Sequence, residues 1–577
     1  MTSHALTRAL KNRFRSSRPY LCLVLLIGLW LAASLQSTPS AFAAGRGVAG
    51  RILDSQGEPV TDAKLKLFVD DGPVPVAEAL SQPDGAYLLV LQLEHEVSRV
   101  RVEVSRPHFQ PYIWVPTPAE LAVLLEQGSF VTHDIVLQRR VNASFWVVTL
   151  VFLAMLVVVA TERLHNTLAA LLAMVIIFGV SLLGETVYPD LFVFRFERAL
   201  EHVDFEVIFL LLGMMIVIGV IEETGIFQWM AFQAYRLSRG KVWLLALVLM
   251  GITATASALL DNVTTMLMIT PIILEVALAM GLNPLSLVLP ALLAANTGGL
   301  ATLIGTPVNI MVGSYVGLGF NDFVSNLTPG VLLALAGLTL FIQLRYWKEY
   351  HAPQHELAAD LLARLEENGR IRDPVKLRKS GLVFGILLLL FVFGDALHAP
   401  PAVLAIAGAV AMLVWVNPNI RAMLSVVDWT TLVFFIGLYI VVGALLEVGL
   451  LSLVADGIRH AVGNSLLVAL LAVVWLAAVF SGLVDNIPFA AAMLPVIRFM
   501  TRTIGGAESN ALYYGLAIGA DLGGNATLIA SSSNLVVAGI TERAGYRLTF
   551  RKFLAVGLPA TAITTALGCV WLLLRFT

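Results

Sequence analysis

The chain has 577 residues, of which 58% are hydrophobic and 13% are charged. A soluble domain of this length cannot bury so much apolar surface, so the composition predicts a protein that crosses the lipid bilayer many times. A net charge of -2 gives no basic surface for nucleic acid. The two cysteines, Cys22 and Cys569, both lie in apolar segments, which excludes a disulfide framework.

Residues 1–44 have the pattern of a targeting segment. Basic residues from Lys11 to Arg18 precede an apolar run from Leu21 to Leu35, and a cleavage-site pattern, "AFAA", follows at 41–44. This pattern predicts a cleaved secretory signal peptide, with an uncleaved anchor helix as the alternative. In both cases the residues that follow emerge on the far side of the membrane.

Residues 45–140 have the pattern of a small β domain. Alternating apolar stretches such as "DGAYLLVLQL" and "RVRVEVSRP" are separated by Gly, Pro and Asp turn residues. The chain here resembles the carboxypeptidase regulatory-like domain, a transthyretin-type β-sandwich, in the spacing of Gly47, Gly57, Pro59, Asp84, Gly85 and Tyr87. The resemblance implies an accessory role, and we assign no chemistry to this domain.

Long apolar segments follow Asn142, and most have the length of a single membrane-spanning helix. Two regions, 242–281 and 465–500, are about twice that length and are interrupted centrally by Asp-Asn. Two others, 285–318 and 512–541, are interrupted by Gly, Thr, Ser and Asn. These patterns predict two re-entrant hairpins and two broken helices. The ordinary spans are predicted at 143–160, 167–184, 205–222, 328–344, 381–396, 401–416, 428–446 and 553–574.

The membrane part contains an internal duplication. "SALLDNVTTMLMITP" and "SGLVDNIPFAAAMLP" align with Asp485 at 224 residues after Asp261 (485 − 261 = 224). "NTGGLATLIGTPVN" and "DLGGNATLIASSSN" align one residue later, because 521 − 296 = 225. We expect repeat one at 143–345, a linker at 346–380 and repeat two at 381–577, an organisation typical of transporters.

The distribution of charge predicts the topology. The loop between Arg345 and Lys379 is rich in Lys and Arg, as is the segment from Arg236 to Lys241, so both are predicted to be cytoplasmic. With the β domain on the periplasmic side of the inner membrane, this requires 242–281 to enter and leave on the cytoplasmic side. Repeat one then has five crossings, an odd number, so the two repeats are inverted.

The Asp-Asn pairs at the hairpin tips have two interpretations. Asp and Asn are favoured N-caps for the returning helix, which alone would explain them. Ser or Thr would cap equally well without a charge, and an aspartate near the bilayer centre costs about 2.5–3.5 kcal/mol. A charge kept in both copies therefore favours an ion site, with Na+ expected at Asp261, Asn262, Asp485 and Asn486. Glu223 and Glu447 lie near helix ends, where solvated caps are expected.

The Gly-rich segments also have two interpretations. Small residues allow close helix packing, whereas a broken helix frees carbonyl and hydroxyl oxygens that can coordinate an ion. Under the second interpretation, the hairpin tips and the breaks converge on one pseudo-symmetric site near the middle of the membrane. The candidate ion- and substrate-binding residues are Asp261, Asn262, Thr264, Asn296, Thr297, Gly298, Gly299, Thr302, Thr306, Asn309, Asp485, Asn486, Asp521, Gly523, Gly524, Thr527, Ser531, Ser532, Ser533 and Asn534.

The membrane part lacks HExxH, Walker-type and Gly-x-Ser-x-Gly patterns. We therefore expect neither an ATP-driven pump nor an intramembrane hydrolase, and no enzyme activity. No cofactor is expected beyond Na+ or H+ as the coupling ion.

At the two Asp-Asn and two Gly-rich motifs the sequence resembles the ion transporter superfamily, which includes arsenite permeases, D-type sodium/proton antiporters, the melanosomal P protein and citrate transporter-like symporters. "LLDNVTT" is most similar to the P protein and D-type antiporter branch. The resemblance implies a homodimer with scaffold and transport domains and an elevator motion.

One departure from that family concerns the substrate. Dicarboxylate symporters of the family carry Ser-Asn-Thr at each hairpin tip, whereas this chain has Asp261-Asn262-Val263 and Asp485-Asn486-Ile487. Carboxylates repel a dicarboxylate, so the sequence favours exchange of sodium for protons, with Asp261, Asp485 and Asp521 alternately protonated and cation-bound. The alternatives are a permease for arsenite, chloride or a citrate-like anion, a channel-like conductance, and a sensor.

Overall fold

The computed structural model describes residues 46–577 except 56, 71, 92–96, 98, 127–128, 162, 353–365 and 368. The signal segment predicted at 1–44 lies outside the described residues. The chain divides into one compact unit that ends at Gln138 and another that begins at Arg139. Each unit has its own hydrophobic core.

The first unit is a small β-sandwich. One sheet has the order β4-β1-β7 with β8 also paired to β1, and the other has the order β3-β2-β5-β6. Apolar side chains alternate inward, so the core forms between the sheets from residues such as Leu65, Leu89 and Val102. The elements are β1 (Arg46–Asp54), β2 (Lys64–Val69), β3 (Ala77–Leu80), β4 (Ala86–Leu91), β5 (Val100–Ser105), β6 (Tyr112–Trp114), α1 (Pro118–Leu125), β7 (Phe130–Thr132) and β8 (Ile135–Leu137).

The second unit is helical, and ten of its described helices are long and apolar enough to cross a membrane. Its first half contains α2 (Ala143–Ala160), α3 (Asn166–Thr186), α4 (Phe196–Glu201), α5 (Phe205–Glu222), α6 (Ile226–Ser238), α7 (Val242–Leu259), α8 (Asn262–Ala279), α9 (Leu285–Gly299), α10 (Pro307–Val316), α11 (Phe320–Asn326), α12 (Thr328–Arg345) and α13 (Trp347–Tyr350). Its second half contains α14 (Pro374–Leu397), α15 (Pro401–Ala411), α16 (Ile420–Val426), α17 (Trp429–Val448), α18 (Leu450–Val462), α19 (Leu466–Leu483), α20 (Asn486–Thr503), α21 (Ala511–Gly523), α22 (Ser532–Arg543) and α23 (Phe550–Phe576).

The two halves repeat the same arrangement. Hairpin α7–α8 corresponds to α19–α20, and the broken helix α9–α10 corresponds to α21–α22. Packing between the halves is crosswise: α3 contacts α17 as α15 contacts α5, and α8 contacts α22 as α10 contacts α20. Such pairing relates the repeats by a pseudo-twofold operation, and the predicted fold class of inverted repeats together with a small β domain is confirmed.

A glycine in the left-handed backbone conformation follows the third long helix of each repeat. Gly225 (φ 81°) begins α6 after α5, and Gly449 (φ 86°) begins α18 after α17. The segment before the first helix of the other repeat packs on each turn: the Arg372 backbone N–H donates to the Thr224 carbonyl, and the Arg139 guanidinium donates to the Glu447 carbonyl. A Cβ at Gly449 would lie 2.7 Å from Arg139 Cδ, so this turn requires glycine.

Candidate functional site

Each hairpin turns at its aspartate, which caps the returning helix. The Asp261 carboxylate accepts from the Thr264 backbone N–H at 2.8 Å, and the Asp485 carboxylate accepts from the Ile487 backbone N–H at 3.1 Å. The capping role considered for these residues is therefore present in both copies. It places the following asparagines, Asn262 and Asn486, in the first turn of α8 and α20.

These asparagines connect the hairpin tips to the broken helices. Asn262 donates its amide to Asn296 Oδ1 at 3.1 Å, and Asn486 donates to Asp521 Oδ1 at 3.0 Å. Both acceptors lie near the ends of α9 and α21, where the helices break. In each repeat the hairpin asparagine thus reaches the end of the helix that precedes the break.

The breaks themselves are held by a second pair of asparagines. Asn309 donates to the carbonyls of Leu300 and Thr302 at 3.1 and 2.7 Å. Asn534 donates to the carbonyls of Gly524 and Thr527 at 2.8 and 2.9 Å. Both amides are fully buried and satisfy carbonyls that an unbroken helix would have satisfied itself.

Several predicted site residues hold the hairpins against the broken helices. Thr302 donates to the Ala258 carbonyl and Thr527 to the Gly482 carbonyl, the latter at 2.7 Å. A Cβ at Gly298 would lie 2.4 Å from the Ala254 carbonyl oxygen, and one at Gly523 would lie 2.6 Å from that of Ala478. These contacts match the helix-packing interpretation of the small residues. Gly299, which faces the Gly305 carbonyl oxygen, belongs with them.

A buried hydrogen-bond network joins the two repeats at the breaks. The Asn296 amide donates to Asn525 Oδ1 at 2.9 Å and to Asn534 Oδ1 at 3.1 Å. Ser533 donates to Asn296 Oδ1 at 2.8 Å and lies 2.9 Å from the Ser531 hydroxyl. Side chains that are far apart in sequence therefore meet at one place.

Asp521 is bonded across the same junction. Thr306, which caps α10, donates its hydroxyl to Asp521 Oδ2 at 2.7 Å. Thr297 donates to its own helix at Leu293 and accepts from Asn525 at 3.3 Å.

Asp485 lies at the edge of this network. Its Oδ2 is 3.4 Å from Asn166 Nδ2 and 3.5 Å from the Ser532 hydroxyl. Asp261 and Thr264 are half-buried, and within the part of the chain that the structure describes the Asp261 carboxylate bonds only to its own hairpin, at Thr264. The structure thus brings Asp485 and Asp521 to the network and places Asp261 at its border.

The two buried carboxylates of the site have neutral partners among the described residues. Asp485 and Asp521 are 5% and 3% exposed. Among the described residues no lysine or arginine pairs with either carboxylate, whose partners are neutral amides, hydroxyls and backbone N–H groups. A buried carboxylate needs a proton or a cation to offset its lost hydration. The described residues hold no cluster of three His, Cys, Asp or Glu side chains.

Two residues of the site were missed by the sequence analysis. Asn525 is fully buried between the repeats, but it aligns with Leu300 (525 − 300 = 225) and so falls outside the symmetric pattern. An asparagine within the Gly-rich "LGGNAT" was a signal that could have identified it. Asn166, at the start of α3, carried no comparable signal.

Glu447 corrects a further expectation. Its carboxylate is 8% exposed and lies 2.9 Å from Arg198 Nε and 3.5 Å from His202 Nε2, so it is a buried ion pair rather than a solvated cap. Its counterpart Glu223 is exposed and pairs with Lys376.

Comparison with known proteins gives one matching family model and several relatives. Residues 156–519 match the citrate transporter family model. An uncharacterized transporter of Mycobacterium tuberculosis is 37% identical over 428 residues, which cover 74% of this chain and 97% of that protein. The human P protein is 30% identical over 514 residues, covering 76% of this chain and 60% of the P protein. Among solved structures, the YdaH transporter of Alcanivorax borkumensis aligns over 71% of this chain and 98% of its own with a TM-score of 0.49 at 16% identity.

Proposed function

Since the chain belongs to the citrate transporter family, and is a membrane transporter, we propose that it is a secondary active transporter that exchanges sodium ions for protons. The supporting observation is the pair of buried carboxylates, Asp485 and Asp521, that no described basic residue neutralises. Such a pair is tolerated when a proton or a cation occupies the site. An exchanger binds a proton and a cation in alternation at such a site.

The surroundings of these carboxylates suit a small hard cation. Hydroxyl and amide oxygens from Thr306, Ser532 and Asn296 lie within the same network. Oxygen ligands of this kind bind hard cations. In other transporters built from broken helices, carbonyl oxygens at the breaks also bind ions.

Reconstitution into vesicles tests the exchange. Purified protein in liposomes that contain a pH-sensitive dye should move protons when a sodium gradient is imposed, and a potassium or choline gradient should not replace sodium. Asp485→Asn should reduce the sodium-driven rate at least tenfold while the protein still inserts and elutes as a single species. Equal rates in protein-containing and empty liposomes would reject sodium/proton exchange.

A second candidate is a permease for an organic carboxylate. The family model carries the description of a citrate transporter, and the Asn262 amide, which donates one N–H to Asn296, could donate its second N–H to a carboxylate. The acidic side chains oppose such a substrate unless protons or cations accompany it. Uptake of labelled citrate into the same liposomes, with and without sodium, distinguishes this candidate from pure cation exchange.

We further propose that the protein lies in the inner membrane as a homodimer, with the β domain in the periplasm and the 346–380 linker in the cytoplasm. The basic residues of that linker support this orientation. A cysteine introduced at the exposed Val74 should react with a membrane-impermeant maleimide in spheroplasts. A cysteine at the exposed Trp347, near the start of the linker, should react only after the cells are broken.

A further inference from the structure

One hydrogen bond that breaks the pseudo-symmetry of the site involves Asn296 and Asn534. In one copy, Asn296 of repeat one donates its amide to Oδ1 of Asn534 of repeat two at 3.1 Å. Sequence alignment at the 225-residue offset makes Asp521 the counterpart of Asn296 and Asn309 the counterpart of Asn534. The equivalent contact would therefore run from Asp521 of repeat two to Asn309 of repeat one.

One of the two side-chain bonds of Asp521 follows the symmetric pattern. Its Oδ1 accepts from Asn486, as Asn296 Oδ1 accepts from Asn262. Its second oxygen, Oδ2, therefore takes the place of the Asn296 amide nitrogen. An oxygen stands where the matching copy has a hydrogen-bond donor.

Asn309 completes the asymmetry. Both N–H groups of its amide donate, one to the Leu300 carbonyl and one to the Thr302 carbonyl. Its Oδ1 is buried and has no hydrogen-bond partner among the described residues. Its backbone N–H donates to Thr306 Oγ1 at 3.2 Å, and the same hydroxyl donates to Asp521 Oδ2. Asn309 is thus linked to Asp521 through a single shared hydroxyl.

Two hydrogen-bond acceptors in these positions need a proton or a cation between them. A carboxylate oxygen and an amide oxygen cannot bond to each other, and both lose hydration when buried. A proton on the carboxyl group converts it into a donor, which then makes the bond that Asn296 makes in the other copy. A cation placed between the two oxygens meets the same requirement.

We propose that Asp521 and Asn309 form the ion-exchange element of this transporter. In the proton-loaded state the Asp521 carboxyl O–H donates to Asn309 Oδ1. When that proton leaves to water, a monovalent cation, sodium in the proposed function, binds to the same two oxygens, so the charge at the site is conserved. This inference rests on the proposed function for the identity of the exchanged ions and adds the residue pair that discriminates between their two forms.

Substitution of Asp521 by asparagine tests the proposal, because the introduced amide could donate permanently to Asn309, as Asn296 does to Asn534. The midpoint of thermal unfolding of the wild-type protein at alkaline pH should rise by about 3 °C on addition of sodium chloride but not choline chloride. Without sodium it should rise on acidification. Asp521→Asn should be at least as stable as the sodium-bound wild type and should respond to neither ion.

Glu447→Gln is the matched control, because it removes a buried carboxylate outside the site and should leave the sodium response unchanged. An undiminished sodium response in Asp521→Asn would overturn the proposal. Should Asp521→Asn not fold, infrared difference spectra of the wild type and Thr306→Val decide, because Thr306 donates to Asp521 Oδ2. A wild-type protonated-carboxyl band that disappears on sodium addition and is shifted in Thr306→Val supports the proposal, and a band that is absent or unshifted overturns it.

The unfolding measurements separate this proposal from the proposed function because they require no flux. Suppose that the sodium response is lost in Asp521→Asn and that liposomes with wild-type protein show no exchange. The proposed ion site at Asp521 and Asn309 then stands, and sodium/proton exchange is rejected. If the wild-type protein exchanges sodium for protons and Asp521→Asn does so equally, sodium/proton exchange stands and the ion site at Asp521 and Asn309 is rejected.

Discussion

The hydroxyl of Thr306 donates to Oδ2 of Asp521 at 2.7 Å, and this bond joins the broken helix of repeat one to that of repeat two. The same hydroxyl oxygen accepts from the Asn309 backbone N–H and so begins α10. One side chain therefore fixes both the end of a helix break and a carboxylate of the opposite repeat. Any motion of one repeat relative to the other at this junction must either break this hydrogen bond or move Thr306 and Asp521 together.

Thr306→Val should lower both stability and transport. Valine has nearly the same shape but removes a hydrogen bond to a buried carboxylate, which is worth about 2 kcal/mol. We expect the free energy of unfolding to fall by about that amount and the sodium-driven proton flux to fall at least tenfold. Ser531→Ala, at the equivalent position of repeat two, is the control, because Ser531 contacts Ser533 and no carboxylate among the described residues. Equal losses in the two variants would contradict this role for Thr306.

Asn525→Leu should destabilise the junction between the repeats. Leucine is the residue that repeat one carries at the matching position, Leu300, so the backbone accepts it. The change removes the acceptor of the Asn296 amide and leaves that amide with Asn534 alone. We expect a loss of about 1–3 kcal/mol, measured by denaturant unfolding in detergent. A neutral result would show that Asn525 only fills space.

The hairpins and broken helices could be predicted because the Asp-Asn and Gly-rich motifs interrupt long apolar segments at a constant offset. The sequence could not tell which side chain of each Asp-Asn pair reaches the break. That depends on helix phase: Asp261 and Asp485 turn toward their own backbone as N-caps, which leaves Asn262 and Asn486 to face α9 and α21.

Contacts between residues that are distant in sequence explain what the sequence analysis missed. Glu223 and Glu447 align, yet only Glu447 is buried, because Arg198 of α4 and His202 cover it. Asn525 finds its partners 228 to 232 residues away in sequence, and no local pattern reports such contacts.

Glu447→Gln should cost more stability than Glu223→Gln. Removing the charge of Glu447 leaves Arg198 with only the exposed Glu201 as a counter-charge, at a cost of about 2 kcal/mol after allowing for the partial exposure of Arg198. The exposed Glu223–Lys376 pair should contribute less than about 1 kcal/mol. Thermal unfolding of both variants in the same detergent measures the difference. Equal midpoints would contradict the burial of Glu447.

The β domain should fold without the membrane part, because residues up to Gln138 form their own compact unit with their own core. A soluble fragment of residues 46–138 should unfold cooperatively in urea, followed by circular dichroism. Leu67→Ala should destabilise it by about 3 kcal/mol, since Leu67 is fully buried. Val74→Ala, at a side chain that is 71% exposed, should have little effect. A fragment without a cooperative transition would show that its folding depends on the rest of the chain.

Proton release on sodium binding tests the central claim, that sodium and protons compete for one buried carboxylate site, most directly. Sodium chloride is added to purified protein in weakly buffered detergent solution, and the change in pH is followed with an indicator dye. Sodium chloride should acidify the solution in proportion to the protein present, whereas choline chloride should not, and Asp521→Asn should release no protons. A wild-type protein that binds sodium without releasing protons, or that releases none with any salt, would contradict the account.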